Sequence, residues 1–198
     1  MTQNTTLKGI VAKATFLIIL FFGTMACNDE KKAEDTKEVA EEHNDAKFDN
    51  TSKELGAQFL VNAAEINLEE IQLGQLAQKN CKQKMVSDLG KMMEDNHNAA
   101  MNDLIILAGK KQITIPTSAT QSAKDTYQEL VVKKGMDFDN AYCQLMVVGH
   151  TKAVALFEKA AFEIPDVDIK AWATSMLPTL RAHLDHAITC QKACEKLK

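Results

Sequence analysis

Residues 138–163, FDNAYCQLMVVGHTKAVALFEKAAFE, carry the pattern that decides the fold. Apolar side chains recur through this stretch at steps that return to one face of an α-helix. That stripe consists of Tyr142, Met146, Ala153, Phe157 and Ala161. Either Asp137 or Asp139 is the expected N-terminal cap, because a carboxylate there accepts hydrogen bonds from unpaired backbone N–H groups. The stretch therefore predicts a long amphipathic helix with one buried face.

The same periodicity predicts two long helices before this one. The first begins at Thr51, where Thr51-Ser52-Lys53-Glu54 has the pattern of a capping box, and it ends near Asn80. The second covers about residues 82–108. A shorter helix is expected from Ser122 to Lys134, because Gly135 follows it as a natural residue after a helix C-terminus.

A fourth long helix follows the turn at Pro165, with Asp166 as its cap. Pro178 lies inside this helix and is expected to interrupt and kink it, because proline has no backbone N–H to donate. The sequence contains no convincing strand. Four long helices with short connections inside each pair predict an all-α, antiparallel four-helix bundle, with the extra short helix in the middle connection.

The first residues have the organisation of an export signal. Two lysines precede an apolar run, Ala14–Phe22, which is shorter than the roughly 20 apolar residues that a membrane-spanning helix needs. The run ends in Thr24-Met25-Ala26-Cys27, which resembles the cleavage motif of bacterial lipoproteins. We therefore expect residues 1–26 to be a lipoprotein signal peptide and Cys27 to carry the lipid. An ordinary signal peptide with an incidental cysteine is the alternative.

Residues 27–50 are nearly all charged or small and cannot bury a core. They predict a disordered tether between the lipidated Cys27 and a bundle domain at residues 51–198. The expected location is the bacterial cell envelope, as an outer-membrane lipoprotein facing the periplasm or the cell surface. The membrane is then a partner through the lipid anchor, and a protein partner stays open. The formal net charge of −4 argues against a nucleic-acid partner.

One ionisable residue interrupts the apolar stripe of each long helix. These residues are Glu70, His97, His150 and His183. Buried ionisable groups are costly unless they are paired, hydrogen-bonded or bound to a metal, and helical bundles build metal sites from side chains on facing helices. Imidazole and carboxylate ligands suit a transition metal such as Fe, Zn, Mn or Cu. The alternative is a hydrogen-bonded polar core without a metal.

Two nearby residues are secondary candidates for metal ligands. Glu94 lies three residues before His97, which is the spacing of a di-iron half-site, and His186 lies three residues after His183. The second Glu-x-x-His half-site is missing, because Val147 precedes His150. A complete di-carboxylate iron centre is therefore not expected.

The sequence does not determine whether the cysteines other than Cys27 form a disulfide. They are Cys81, Cys143, Cys190 and Cys194. A disulfide between Cys143 and Cys190, across adjacent helices, is one arrangement, and small buried apolar side chains are the other. Cys190 and Cys194 share a helix face, where a disulfide between them would be geometrically awkward.

Four short motifs occur in an order that resembles a known family. They are Glu70-Ile-Gln-Leu-Gly74-Gln-Leu-Ala77, Met93-Glu-Asp95-Asn-His97, Phe138-Asp139-Asn-Ala-Tyr142 with His150, and Leu177-Pro178-Thr-Leu-Arg-Ala-His183. The set, over roughly residues 53–190, resembles the bacterial ferritin-like family of domain of unknown function 4142, commonly described as an outer-membrane protein. The resemblance implies a ferritin-like bundle and an envelope location. It also implies Asp139 as a further recurring polar position, which makes it a third secondary candidate for a metal ligand, and it carries no established activity.

Two functions follow as hypotheses from these residues. The first is a lipid-anchored envelope protein whose bundle core binds a transition metal at Glu70, His97, His150 and His183. The second is a non-enzymatic envelope module that binds a partner or ligand and has a hydrogen-bonded polar core. Whether the protein is an enzyme stays open.

Overall fold

The structure is a computed structural model that describes residue 1, residues 35–48 and residues 51–197. Helices are the only regular secondary structure among these residues, which confirms the predicted all-α class. The helices are α1 (Thr36–Phe48), α2 (Glu54–Asn80), α3 (Lys84–Lys111), α4 (Gln121–Val131), α5 (Gly135–Glu163) and α6 (Val167–Glu195). Among the described residues, no helix combines the length and apolarity needed to cross a bilayer. The expected signal peptide and the lipidation site at Cys27 lie outside the described residues.

The long helices pack pairwise. The most extensive contacts join α2 to α3 and α5 to α6, and smaller contacts join α2 to α5 and α3 to α6. α4, the predicted short helix of the middle connection, contacts α2 and α5. The apolar core falls into two clusters, one around Phe59 and Phe157 and one around Phe138 and Tyr142. On each long helix, the ionisable residue of the inward face lies between residues of one cluster and residues of the other. A polar layer therefore divides the core.

A helix stands where the sequence predicted part of the disordered tether. α1 packs against α2 and buries Ala40, Asn44 and Phe48, which recur every four residues and so share one face. The Asn44 side chain donates to the Thr114 carbonyl over 2.7 Å and accepts from the Thr114 N–H over 2.9 Å. Over residues 36–48 the structure therefore differs from the expected tether, because three inward residues outweigh the charged outer face.

Of the predicted N-terminal caps of α2 and α6, the structure contains only the second. Asp166 accepts hydrogen bonds from the backbone N–H groups of Asp168 and Ile169, which confirms it as the cap of α6. The capping box at Thr51 is wrong, because α2 begins at Glu54 and has no side-chain cap. The Thr51 hydroxyl instead donates to the Phe48 carbonyl at the end of α1, over 2.6 Å.

The start of α5 also differs from the prediction. The helix begins at Gly135, whose φ of +58° is a conformation that favours glycine, and the short α4 ends at Val131. Asp139 is fully buried inside α5, and its two oxygens accept from the N–H groups of Lys82 and Gln83, each over 2.9 Å. Asp139 therefore caps the start of α3 from a neighbouring helix.

Two features of the backbone determine how the helices meet around the polar layer. α6 continues unbroken through Pro178, so the predicted interruption does not occur. α2 and α3 approach most closely at Gly74 and Gly90, where a Cβ added to Gly74 would lie 2.5 Å from the Gly90 carbonyl oxygen. Only glycine fits there, and the close approach fixes which residues of α2 and α3 lie level with each other.

Candidate metal centre

Three histidines from three helices meet in the polar layer of the core. His97 of α3, His150 of α5 and His183 of α6 are each at most 2% exposed. His150 Nε2 lies 3.4 Å from His97 Nε2 and 3.2 Å from His183 Nδ1. One ring nitrogen from each histidine falls within 4.8 Å of the others, which is a spacing from which three ligands reach one ion. We call these residues the histidine cluster.

The outer nitrogens of two of these rings determine where their protons sit. His150 Nδ1 donates to the Met146 carbonyl over 3.0 Å, and His97 Nδ1 donates to Asn67 Oδ1 over 2.8 Å. A neutral imidazole carries a single N–H, so the inner Nε2 atoms of both rings present lone pairs to each other. Two facing lone pairs need a cation between them or a proton from a third group. Metal-bound histidines commonly have outer hydrogen bonds of this kind.

His183 completes the cluster with a different hydrogen bond. Asn96 Nδ2 donates to His183 Nε2 over 2.8 Å. In this arrangement the His183 proton sits on Nδ1 and is donated to His150 Nε2. That single proton satisfies His150 and leaves the His97 Nε2 lone pair without a donor.

Glu70 lies beside the cluster rather than within it. Its Oε1 is 3.7 Å from His150 Nδ1, the outer nitrogen of that ring, and the side chain is 8% exposed. Glu70 Oε2 is buried without a hydrogen-bond partner. Burial, with a smaller contribution from the nearby Glu69 charge, raises the pKa of Glu70 to about 8. The structure thus brings together three of the four predicted ligands and places the fourth behind His150.

The three secondary candidates lie elsewhere. Glu94 accepts from Gln75 and Gln78 at the side of α2 and α3, which lowers its pKa. Asp139 is occupied by the N-terminus of α3. His186 is exposed to solvent on α6. None of them belongs to the histidine cluster.

Sequence reasoning missed the two asparagines that orient the cluster. Asn67 lies three residues before Glu70 and therefore shares its helix face, which is the signal that could have identified it. Asn96 is adjacent to His97 and carries no such pattern. Both act by hydrogen-bonding the outer nitrogen of a cluster histidine.

A second group of ionisable side chains lies towards the N-terminus of α5 and the C-terminus of α6. Cys143, Cys190 and Cys194 are buried, and their sulfur atoms lie within 4.8 Å of one another. Cys81, the remaining cysteine among the described residues, is partly exposed and outside this group. Cys143 and Cys190, which the sequence offers as one possible disulfide pair, lie together as free thiols, and Cys194 joins them.

Burial keeps the cluster histidines neutral. Removing a charged imidazolium from water is unfavourable, so burial lowers the pKa of His150 and of His183 to about 4. The pKa of His97 is also lowered, by burial first and then by its two histidine neighbours. Neutral imidazoles are the form that binds metal, so the site is ready for an ion at neutral pH.

These pKa shifts predict the pH dependence of stability in the metal-free protein. Below pH 6.5 the unfolded chain binds protons on His150 and His183 that the folded chain does not bind until about pH 4, so stability falls on acidification. The lowered pKa of His97 acts in the same direction. The loss approaches about 3 kcal/mol for each of His150 and His183 at pH 4. Glu70 acts oppositely, because its raised pKa removes stability as the pH rises towards 8.

The free energy of unfolding should therefore be greatest near pH 6.5. Urea unfolding in the presence of a chelator, at pH values from 4.5 to 8, measures this curve. Ionisation of Glu70 alone lowers the free energy of unfolding by about 1.6 kcal/mol between pH 6.5 and 8, and the Glu70→Gln variant should lack this contribution. A wild-type stability that keeps rising to pH 8 would mean that Glu70 is already ionised in the folded protein.

Comparison with known proteins gives one match. The family model described as "Domain of unknown function (DUF4142)" matches residues 40–189. No curated protein matches the chain, and no solved structure does. The matched range contains the whole histidine cluster and much of α1.

Proposed function

The chain belongs to the family of domain of unknown function 4142, and on that premise we propose that it binds one transition-metal ion on His97, His150 and His183. The observation that carries the proposal is the convergence of one ring nitrogen from each histidine at a buried point, within 4.8 Å of one another. Two of these nitrogens, His97 Nε2 and His150 Nε2, face each other as lone pairs. A cation shared by the three rings resolves that contact.

The donor set limits the chemistry. Three neutral imidazoles suit Zn, Fe or Cu, and they leave a fourth coordination position open. For His183 to offer a lone pair as well, its proton has to sit on Nε2, and Asn96 has to present its amide oxygen. Glu70 is not one of the three ligands, because its Oε1 lies 3.7 Å from the outer nitrogen of His150, which already donates to the Met146 carbonyl.

We propose a ferritin-like four-helix bundle as the scaffold. Its support is the set of contacts in which α2, α3, α6 and α5 each pack on the next and α5 returns to α2. In such bundles, side chains from facing helices build metal sites in the core. The three ligands here come from three of these four helices.

The envelope location is part of the same proposal and rests on the sequence. The apolar run Ala14–Phe22 and the motif that ends at Cys27 support export and attachment to the outer membrane by a lipid. A metal-binding bundle attached in this way would act at the membrane, facing the periplasm or the cell surface.

A second candidate function is an envelope interaction module with a metal-free polar core. The hydrogen bonds of His97 to Asn67, of His150 to the Met146 carbonyl and of His183 to Asn96 favour it, since each ring already has one partner. The unpaired His97 Nε2 is what this candidate does not explain.

Metal analysis of the full chain, purified in detergent, tests the metal-binding proposal. After anaerobic reconstitution with Fe, Zn, Mn and Cu in separate samples, elemental analysis should find close to one equivalent of at least one metal on the histidine cluster. X-ray absorption of that sample should show nitrogen neighbours. A protein that retains none of the four metals, or holds them through sulfur alone, overturns the proposal.

A further inference from the structure

The cysteine trio, Cys143 of α5 with Cys190 and Cys194 of α6, forms a compact group of sulfur donors. The side chains are at most 3% exposed. The Cys143 thiol donates to Cys190 Sγ over 2.9 Å, and all three sulfur atoms lie within 4.8 Å of one another. Apolar neighbours such as Phe138, Tyr142 and Met146 belong to the same core cluster.

The trio lies two helical turns from the histidine cluster on the paired helices α5 and α6. Cys143 lies seven residues before His150, and Cys190 lies seven residues after His183. Because α5 and α6 are paired and both offsets are two turns, the same two helix faces carry both groups. The axial separation is roughly 10 Å at a rise of 1.5 Å per residue. The two groups share no residue and form separate sites.

We propose that Cys143, Cys190 and Cys194 form a second metal site, which binds one Cu(I) ion. Thiolates are soft ligands that select Cu(I), zinc and iron–sulfur clusters. Structural zinc sites use four ligands, whereas the trio supplies three. Among the residues that the structure describes, no fourth histidine, cysteine or carboxylate joins the group. Burial of all three sulfur atoms also excludes the solvent that would complete a zinc site.

The ionisable groups that act on the trio are a carboxylate and the other thiols, and none of them carries a positive charge. Asp139, the carboxylate whose charge acts on Cys190 and Cys194, already accepts hydrogen bonds from the backbone at the start of α3. Burial raises the pKa of Cys194 to about 11, and the hydrogen bond to Cys190 and burial raise that of Cys143. The hydrogen bond from Cys143 lowers the pKa of Cys190, so Cys190 is the thiol of the trio that loses its proton most readily, and a bound cation would stabilise the resulting thiolate.

The binding step balances without a redox change. A Cu(I) ion forms Cu–S bonds to two cysteines, the two S–H bonds break, and two protons leave to the buffer. The third cysteine coordinates as a neutral thiol, or releases one more proton as it forms a third Cu–S bond. Copper enters and stays as Cu(I), so no oxidant or reductant is consumed.

Anaerobic titration of the reduced full chain with Cu(I), against a chromophoric Cu(I) chelator, tests the site. The wild-type protein should hold one Cu(I) more tightly than the chelator, with thiolate-to-copper charge-transfer absorption. With one equivalent of Cu(I) added, X-ray absorption at the copper edge should show a first shell of sulfur alone. This wild-type measurement does not depend on the folding of any variant.

Matched variants assign the ion to the trio. Cys190→Ala should lower the Cu(I) affinity at least about 100-fold, since losing a direct ligand costs more than losing an outer-shell partner. Cys81→Ala, which changes a cysteine outside the trio, should leave the affinity unchanged. His186→Ala, which changes an exposed histidine outside both clusters, should also leave it unchanged. Absence of binding, nitrogen or oxygen in the first shell, or retained affinity in a folded Cys190→Ala protein overturns the proposal.

Discussion

Replacement of Gly90 by alanine should destabilise the protein by about 3 kcal/mol, at the upper end of the cost of overpacking a core. The added Cβ would lie 2.8 Å from the Gly74 carbonyl oxygen and 2.7 Å from the Ala77 Cβ. One of these atoms belongs to the backbone of α2, which cannot move aside as a flexible side chain would. The helices α2 and α3 would have to separate. The axial position of His97 relative to His150 and His183 would then change.

The matched control is Gly109→Ala in the same helix. No atom lies within 4 Å of the Cβ that this change adds, and the glycine has no positive φ. Alanine there should stabilise α3 by up to about 1 kcal/mol, the usual difference between the two residues inside a helix. Urea unfolding followed by circular dichroism measures both variants. Equal free energies of unfolding for Gly90→Ala and Gly109→Ala would refute the close crossing.

Replacement of His150 by alanine should abolish tight metal binding at the histidine cluster. His150 Nε2 is the nitrogen that lies within 3.4 Å of both other rings, so its removal leaves two ligands without their common neighbour. In the wild-type protein, metal at 100 times its dissociation constant should raise the free energy of unfolding by about 2.7 kcal/mol. The same metal concentration should leave the melting temperature of the variant unchanged.

His186→Ala provides the control for this variant. His186 lies one turn from His183 but is exposed and outside the cluster, so its removal should leave both the metal affinity and the metal-dependent stabilisation intact. The same pair separates the two candidate functions. A wild-type melting temperature that no metal raises, together with a lower stability of His150→Ala, supports the hydrogen-bonded core instead.

The sequence predicted the polar layer because helix periodicity is local. A residue that interrupts an apolar stripe at the helical spacing faces the same way as its neighbours, whichever helix it later meets. His97, His150 and His183 are therefore all buried as expected. The same reasoning identified Asp166 as the cap of α6, because that interaction spans only three residues.

The positions of Glu70 and Asp139 depended on neighbours distant in sequence. Asn67, one turn before Glu70, is the residue of α2 that reaches His97, so Glu70 lies beside the outer edge of His150 instead. Asp139 was assigned by its place near the start of α5, yet its carboxylate caps α3. Neither outcome follows from the spacing of residues within one helix.

By itself, the sequence determined the helical class, the faces of the long helices that turn inwards and the polar residue on each face, because these depend on contacts within a few residues. Only the tertiary structure decided the axial offset of each helix relative to its neighbours. The crossing at Gly74 and Gly90 is part of what sets that offset. It also decided which nitrogen of each ring points inwards, that Cys194 joins Cys143 and Cys190, and that α1 packs on α2. Axial offset and ring orientation result from packing and hydrogen bonding between distant residues, which no periodicity within one helix encodes.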